Sequence, residues 1–170
     1  MNTLLNHHDE NNLDQNKISI ITEKFFNKIY YGIADEPEET KNCWTGICYG
    51  IHDYILFCLT ISRNNSTDNI WCTFLYDSTS KYNYLSPNTI EKLEIKKENT
   101  TSKFKIKING ITTSAYSTFF NKNKINDDIN IIGNEFLSSF NGDLVLQYVD
   151  GNCRPKIYCS NKHSELSIKN

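Results

Sequence analysis

The stretch WCTFLYDSTSKYNYLSPNTIEKL, residues 71–93, holds the residues best suited to chemistry. Asp77 closes an apolar run and is followed by three small hydroxyl residues, Ser78, Thr79 and Ser80. A carboxylate presented at the end of a strand can activate water as a general base. The same arrangement is also a common turn start, because Asp accepts hydrogen bonds from the backbone that follows it. No GxSxG, phosphate-binding loop, HExxH or GxGxxG pattern competes with it.

Metal chemistry is not expected. The six cysteines form no CxxC: four residues separate Cys43 from Cys48 and five separate Cys153 from Cys159. His7, His8, His52 and His163 keep no regular spacing to them. Reduced thiols, some buried in strands, are the expectation, with no metal and no cofactor.

At 170 residues the chain is long enough for one domain with a real core. Its net charge of −2 argues against a nucleic-acid partner, which would call for a basic excess. No run of residues reaches the length a membrane helix needs, and MNTLLNHHDENN lacks the pattern of a signal peptide. The expected location is therefore cytoplasmic, with no membrane partner. The sequons at Asn64, Asn65 and Asn99 then carry no meaning. Only Arg63 and Arg154 among 18 basic residues are arginine, a bias that AT-rich codons produce.

The elements that must position Asp77 read as mainly β. Residues 1–16 are polar and read as a flexible tail. ISIITEKFFNKIYYGI puts Ile18, Ile21, Phe25, Ile29 and Ile33 at helical spacing, so residues 17–42 read as an amphipathic helix and an acidic linker. A helix with one apolar stripe is expected to pack on its own domain. CWTGICYGI, DYILFCLTI and IWCTFLY follow as strands, and Ser86-Pro87 opens a short helix to about Leu93. Asn109-Gly110 and Asp150-Gly151 mark hairpin turns, and Ile129–Ile132 reads as a buried strand broken at Gly133 before a helical turn. Residues 43–160 thus form the β domain, and 161–170 a polar tail.

In order and spacing these pieces resemble the retropepsins, single-domain aspartic peptidases of retroviruses, retrotransposons and cellular relatives. Asp77-Ser78-Thr79-Ser80 takes the place of the family's Asp-Thr/Ser-Gly turn, Leu85-Ser86 that of its aliphatic-Ser pair, and Ile131-Ile132-Gly133 that of its glycine motif. The resemblance spans roughly residues 53–159 and implies a closed β-barrel with short helices. It implies peptide hydrolysis by two carboxylates sharing one proton. It also implies a homodimer, since one chain supplies only Asp77; Asp150 is better explained as a hairpin turn. The partner would be an extended peptide or protein substrate. With the codon bias, it points to a viral or mobile-element source.

The sequence departs from the family in three places. Thr79 stands where the family has glycine, so a Cβ must crowd the cleft floor or move the turn. LEIKKENTTSK, residues 93–103, holds no glycine where a glycine-rich flap should cover the substrate. Tyr76 replaces a small or aliphatic residue. Three readings stay open: an aspartic endopeptidase, an inactive relative serving as a dimerisation or protein-binding module, and an unrelated β-barrel binding protein.

Overall fold

The computed structural model describes residues 13–35, 43–120 and 127–159. Helix α1, Gln15–Phe26, begins on Asp14, whose carboxylate accepts the Lys17 N–H at 2.8 Å. That bond satisfies one of the donors a helix start leaves open. Ile18 and Ile21 are buried and pack with Leu13, Leu56, Leu75 and Ile129, so the helix lies on its own barrel as expected.

Two expectations for this segment need correction. Leu13 is only 1 % exposed and α1 starts at Gln15, so the tail does not reach residue 16; residues 1–12 lie outside the described range. The helix also ends at Phe26, with Asn27 in the left-handed region at φ 52°. Ile29 and Ile33 therefore never join its apolar stripe and stand 74 % and 85 % exposed. The cause is competition from hydrogen bonds to the barrel. Tyr31 donates its N–H to the Trp71 carbonyl, Trp71 returns one to Gly32, and Ile33–Ala34 becomes the short strand β1. The expected acidic linker and C-terminal tail fall largely outside the described residues.

The remaining strands are β2 (Cys43–Thr45), β3 (Ile47–Tyr49), β4 (Tyr54–Arg63), β5 (Asn69–Tyr76), β6 (Asn83–Leu85), β7 (Phe104–Ile108), β8 (Ile111–Ser117), β9 (Asn130–Ile132), β10 (Gly142–Val149) and β11 (Asn152–Cys159). Two short helices, α2 (Pro87–Lys92) and α3 (Asn134–Ser138), complete the set. Strands β5, β9, β6, β8, β7 and β4 are hydrogen-bonded in that order, and β4 returns to β5. The result is a closed, mixed six-stranded barrel, with β1 and β3 added at its margins. Strands β10, β11 and β2 form a separate three-stranded sheet. The mainly-β barrel with an N-terminal helix is thus the architecture the sequence led us to expect.

Turn chemistry behaves as the residue types dictate. Asn109 and Gly110 take φ of 46° and 76° between β7 and β8, and Asp150 and Gly151 take 51° and 78° between β10 and β11. The Asn109 side chain also accepts from the Thr60 N–H at 2.7 Å, fastening the turn to β4. Ser86 caps α2 and Pro87 sits in its first turn.

Inside, Phe57, Phe74, Ile61, Ile106, Ile108 and Phe136 fill the barrel core. One buried polar residue ties its layers together. Asn130 accepts the Ser86 N–H at 2.9 Å and donates to the Tyr30 hydroxyl and the Cys72 sulfur. Replacing it strands a buried N–H, which costs the full desolvation penalty. Asn130→Ala should lower stability to urea by about 2–3 kcal/mol; a loss below about 0.5 kcal/mol would mean the tie contributes little.

The Asp77 turn as candidate functional site

Asp77 leaves β5 where that strand runs parallel to β9, with Tyr76 opposite Ile132. Its N–H continues the pairing by donating to the Ile132 carbonyl at 3.0 Å. The chain then turns: the Ser80 N–H returns to the Asp77 carbonyl at 3.1 Å. Beyond the turn it passes over Gly133. A Cβ built on Gly133 would lie 2.6 Å from the Ser80 carbonyl oxygen and closer still to that of Tyr82. The glycine is required by this approach and not by its φ of −100°, which any residue adopts.

The crossing is sewn down on both sides. Asn134 donates its N–H to Ser80 O and its side-chain amide to Ser78 O, at 3.0 and 3.1 Å. Glu135 donates to the Lys81 carbonyl, and Gly133 donates to the Asn83 side chain, both at 3.0 Å. Asn83 is fully buried and also holds Thr113 and Ser114 of β8. Sequence reasoning singled out neither Asn83 nor Asn134. The available signal was an Asn after the glycine motif and a second one opening the short β6.

Both carboxylate oxygens of Asp77 are occupied within its own turn. Oδ1 accepts the Thr79 N–H at 2.9 Å and the Thr79 hydroxyl at 2.7 Å, and Oδ2 accepts the Ser80 hydroxyl at 2.6 Å. Partial burial pushes this carboxyl up. The hydroxyls of Ser80 and Thr79, with their backbone N–H groups, outweigh it and hold the group below its ordinary range. Among the described residues no carboxylate helps set its ionisation. Thr79 and Ser78 are exposed, so the extra Cβ of Thr79 is accommodated by turning outward while its hydroxyl folds back.

The predicted residues are therefore brought together: Asp77, Ser78, Thr79 and Ser80 in one turn, with Ile131 and Ile132 buried beneath it and Gly133 at the crossing. Tyr82, Tyr84 and Tyr116 lie alongside as a half-buried aromatic cluster, with ring centroids 5.1 and 6.1 Å apart. Burial and then its two neighbouring tyrosines push the Tyr84 hydroxyl upward, with Asp77 adding to the effect. Residues 93–103 form no hairpin; they hold a single helical turn at Lys97–Thr100. Among the described residues no cluster of His, Cys, Asp and Glu could hold a metal, and no helix is long and apolar enough to cross a membrane.

No family model matches the sequence, and no curated protein does. A solved structure to which the chain is similar is a retropepsin-like aspartic protease from Rickettsia conorii. The two are 14 % identical, with a TM-score of 0.41 over 69 % of this chain and 95 % of the other. Likeness at that level leaves the reading to the chain's own residues.

Two measurements check this geometry. Gly133→Ala should cost about 3 kcal/mol or more, since the blocking atoms are backbone carbonyls that cannot rotate away; a cost under about 1 kcal/mol would disprove the close crossing. Asp77 binds its proton more weakly folded than unfolded. Its contribution is therefore complete above about pH 5 and is lost as pH falls through about 3.9 and on through the lower folded value. Wild type should lose stability more steeply than Asp77→Asn between about pH 5 and 3, by no more than about 1 kcal/mol given the solvent exposure. Parallel profiles would show that the turn does not favour the ionised form.

Proposed function

We propose that this chain is a retropepsin-like barrel that no longer hydrolyses peptides and serves as a dimerisation or protein-binding module. The observation that carries the reading is the saturation of Asp77. An aspartic dyad needs a carboxylate free to hold water and to share a proton with its twin. Here three donors from Thr79 and Ser80 already engage both oxygens and favour full ionisation. The segment at residues 93–103 supports the same conclusion. Being short and charged, with a single helical turn, it offers no hairpin to clamp a peptide or to exclude water.

A second reading, a homodimeric aspartic endopeptidase, draws support from the turn's position. Asp77 is half-buried at the end of β5, directly over the Ile131–Gly133 segment. In that reading Asp77 of each copy would be the catalytic carboxylate. Ser78, Thr79 and Ser80 would hold the turn, Ile131, Ile132 and Gly133 would support it from below, and an extended peptide would be the substrate. No cofactor enters either reading.

Incubating the purified chain with a diverse peptide library from about pH 4 to 7, beside Asp77→Asn, separates the two. The module reading expects the same background from both proteins. Cleavage by wild type that Asp77→Asn abolishes would establish the peptidase.

A further inference from the structure

Apart from the Asp77 turn, the arrangement with most chemical content joins the two sheets. The chain leaves the three-stranded sheet after β2, turns at Gly46, and enters the barrel as β3. A Cβ on Gly46 would meet the Phe57 ring at 2.8 Å, so the crossing is tight. Thr45 pairs with Lys156, and the Gly46 N–H donates to the Pro155 carbonyl at 2.8 Å. Carried past the end of that ladder, the same antiparallel count would bring Cys48 of β3 to the position across from Cys153 of β11. Strands β3 and β11 pack against each other beyond the end of that ladder, and a disulfide spans Cα atoms up to roughly 7 Å apart. The Cys153 sulfur is near enough to push the Cys48 thiol upward, and both are free thiols.

No two cysteines on hydrogen-bonded strands face each other. Cys58 is opposite Thr73 and Cys72 opposite Leu59, so those two point to opposite faces of the sheet. Cys43 is opposite Tyr158, which places it across from the neighbour of Cys159 and on the other face. Cys48 and Cys153 also share the wall of an open cleft of about 870 Å³ with Asp53 and Tyr148, so a small reagent can reach them.

We propose that Cys48 and Cys153 are a modification site, a thiol pair that closes to a reversible disulfide by exchange with glutathione disulfide and staples the β10–β11 hairpin to the barrel. Cys153 reacts first. Its thiolate attacks one sulfur of glutathione disulfide, a mixed disulfide forms, and one glutathione leaves as thiolate and takes up a proton. Burial, then the Cys153 sulfur beside it, pushes the Cys48 thiol up to about 12, which keeps it protonated during this step. Cys48 then loses its proton and attacks the Cys153 sulfur, and the second glutathione departs. Two protein thiols are oxidised and one glutathione disulfide is reduced to two thiols. The step is independent of whether Asp77 hydrolyses anything.

The test equilibrates the full chain with glutathione disulfide and maps its peptides without reduction. Two of the six thiols should disappear, and the peptides carrying Cys48 and Cys153 should be found joined. The thermal midpoint should rise on the order of 10 °C and return with dithiothreitol. Cys48→Ser should stop at a glutathione adduct on Cys153, with no rise in midpoint. Six titratable thiols after equilibration, a bridge between other cysteines, or an internal bridge in Cys48→Ser would each overturn the proposal.

Discussion

The passage of the β5–β6 connection over Gly133 is the contact on which the rest of the barrel depends. Backbone meets backbone there with no side chain between, and donors from residues 133–135 take up the carbonyls and side chains of the crossing segment. Because β9 is fixed at that point, it can pair with β5 on one side and β6 on the other and close the ring. A three-residue strand buries too little surface to hold such a position alone. Hydrogen bonds at the crossing and the buried Asn130 supply the remainder, since an unpaired polar group in that interior would be costly.

The crossing also constrains the carboxylate. A turn this close to its neighbour must be held in one conformation, and Asp77 holds it by accepting from Thr79 and Ser80. Glycine at the third position would leave Oδ1 with a backbone donor alone. Threonine adds a hydroxyl bond and so makes the carboxylate a better clamp and a poorer base. The same side chain that departs from the peptidase pattern thus has a positive role in the fold.

What could be read from the sequence was whatever local chemistry decides. Asn109-Gly110, Asp150-Gly151 and Ser86-Pro87 each specify a backbone geometry within a few residues, and each forms as read. A buried strand at Ile129–Ile132 ending before Gly133 was legible because an apolar run broken at glycine is a common strand signature, and β9 forms at Asn130–Ile132. The extent of α1 was not legible. Ile29 and Ile33 fit its period, yet the pull on Tyr31 comes from Trp71, far along the chain. The occupancy of both Asp77 oxygens was hidden for a related reason. Asp-Ser-Thr-Ser reads equally well as a turn start and as a catalytic turn, and only the orientation of two hydroxyls separates them.

The separate sheet of β10, β11 and β2 also sets an order of events. Thr45 finds its partner only at Lys156, with the whole barrel lying between them in the chain. During synthesis from the N-terminus, β2 must wait beside a nearly finished barrel, its edge unpaired, until β11 has left the ribosome. Such long-range closure is slow and leaves strand edges available to other chains. A nascent chain stalled before β11 would therefore expose β2 to chaperones and to its own copies, although the barrel residues up to β9 were already complete.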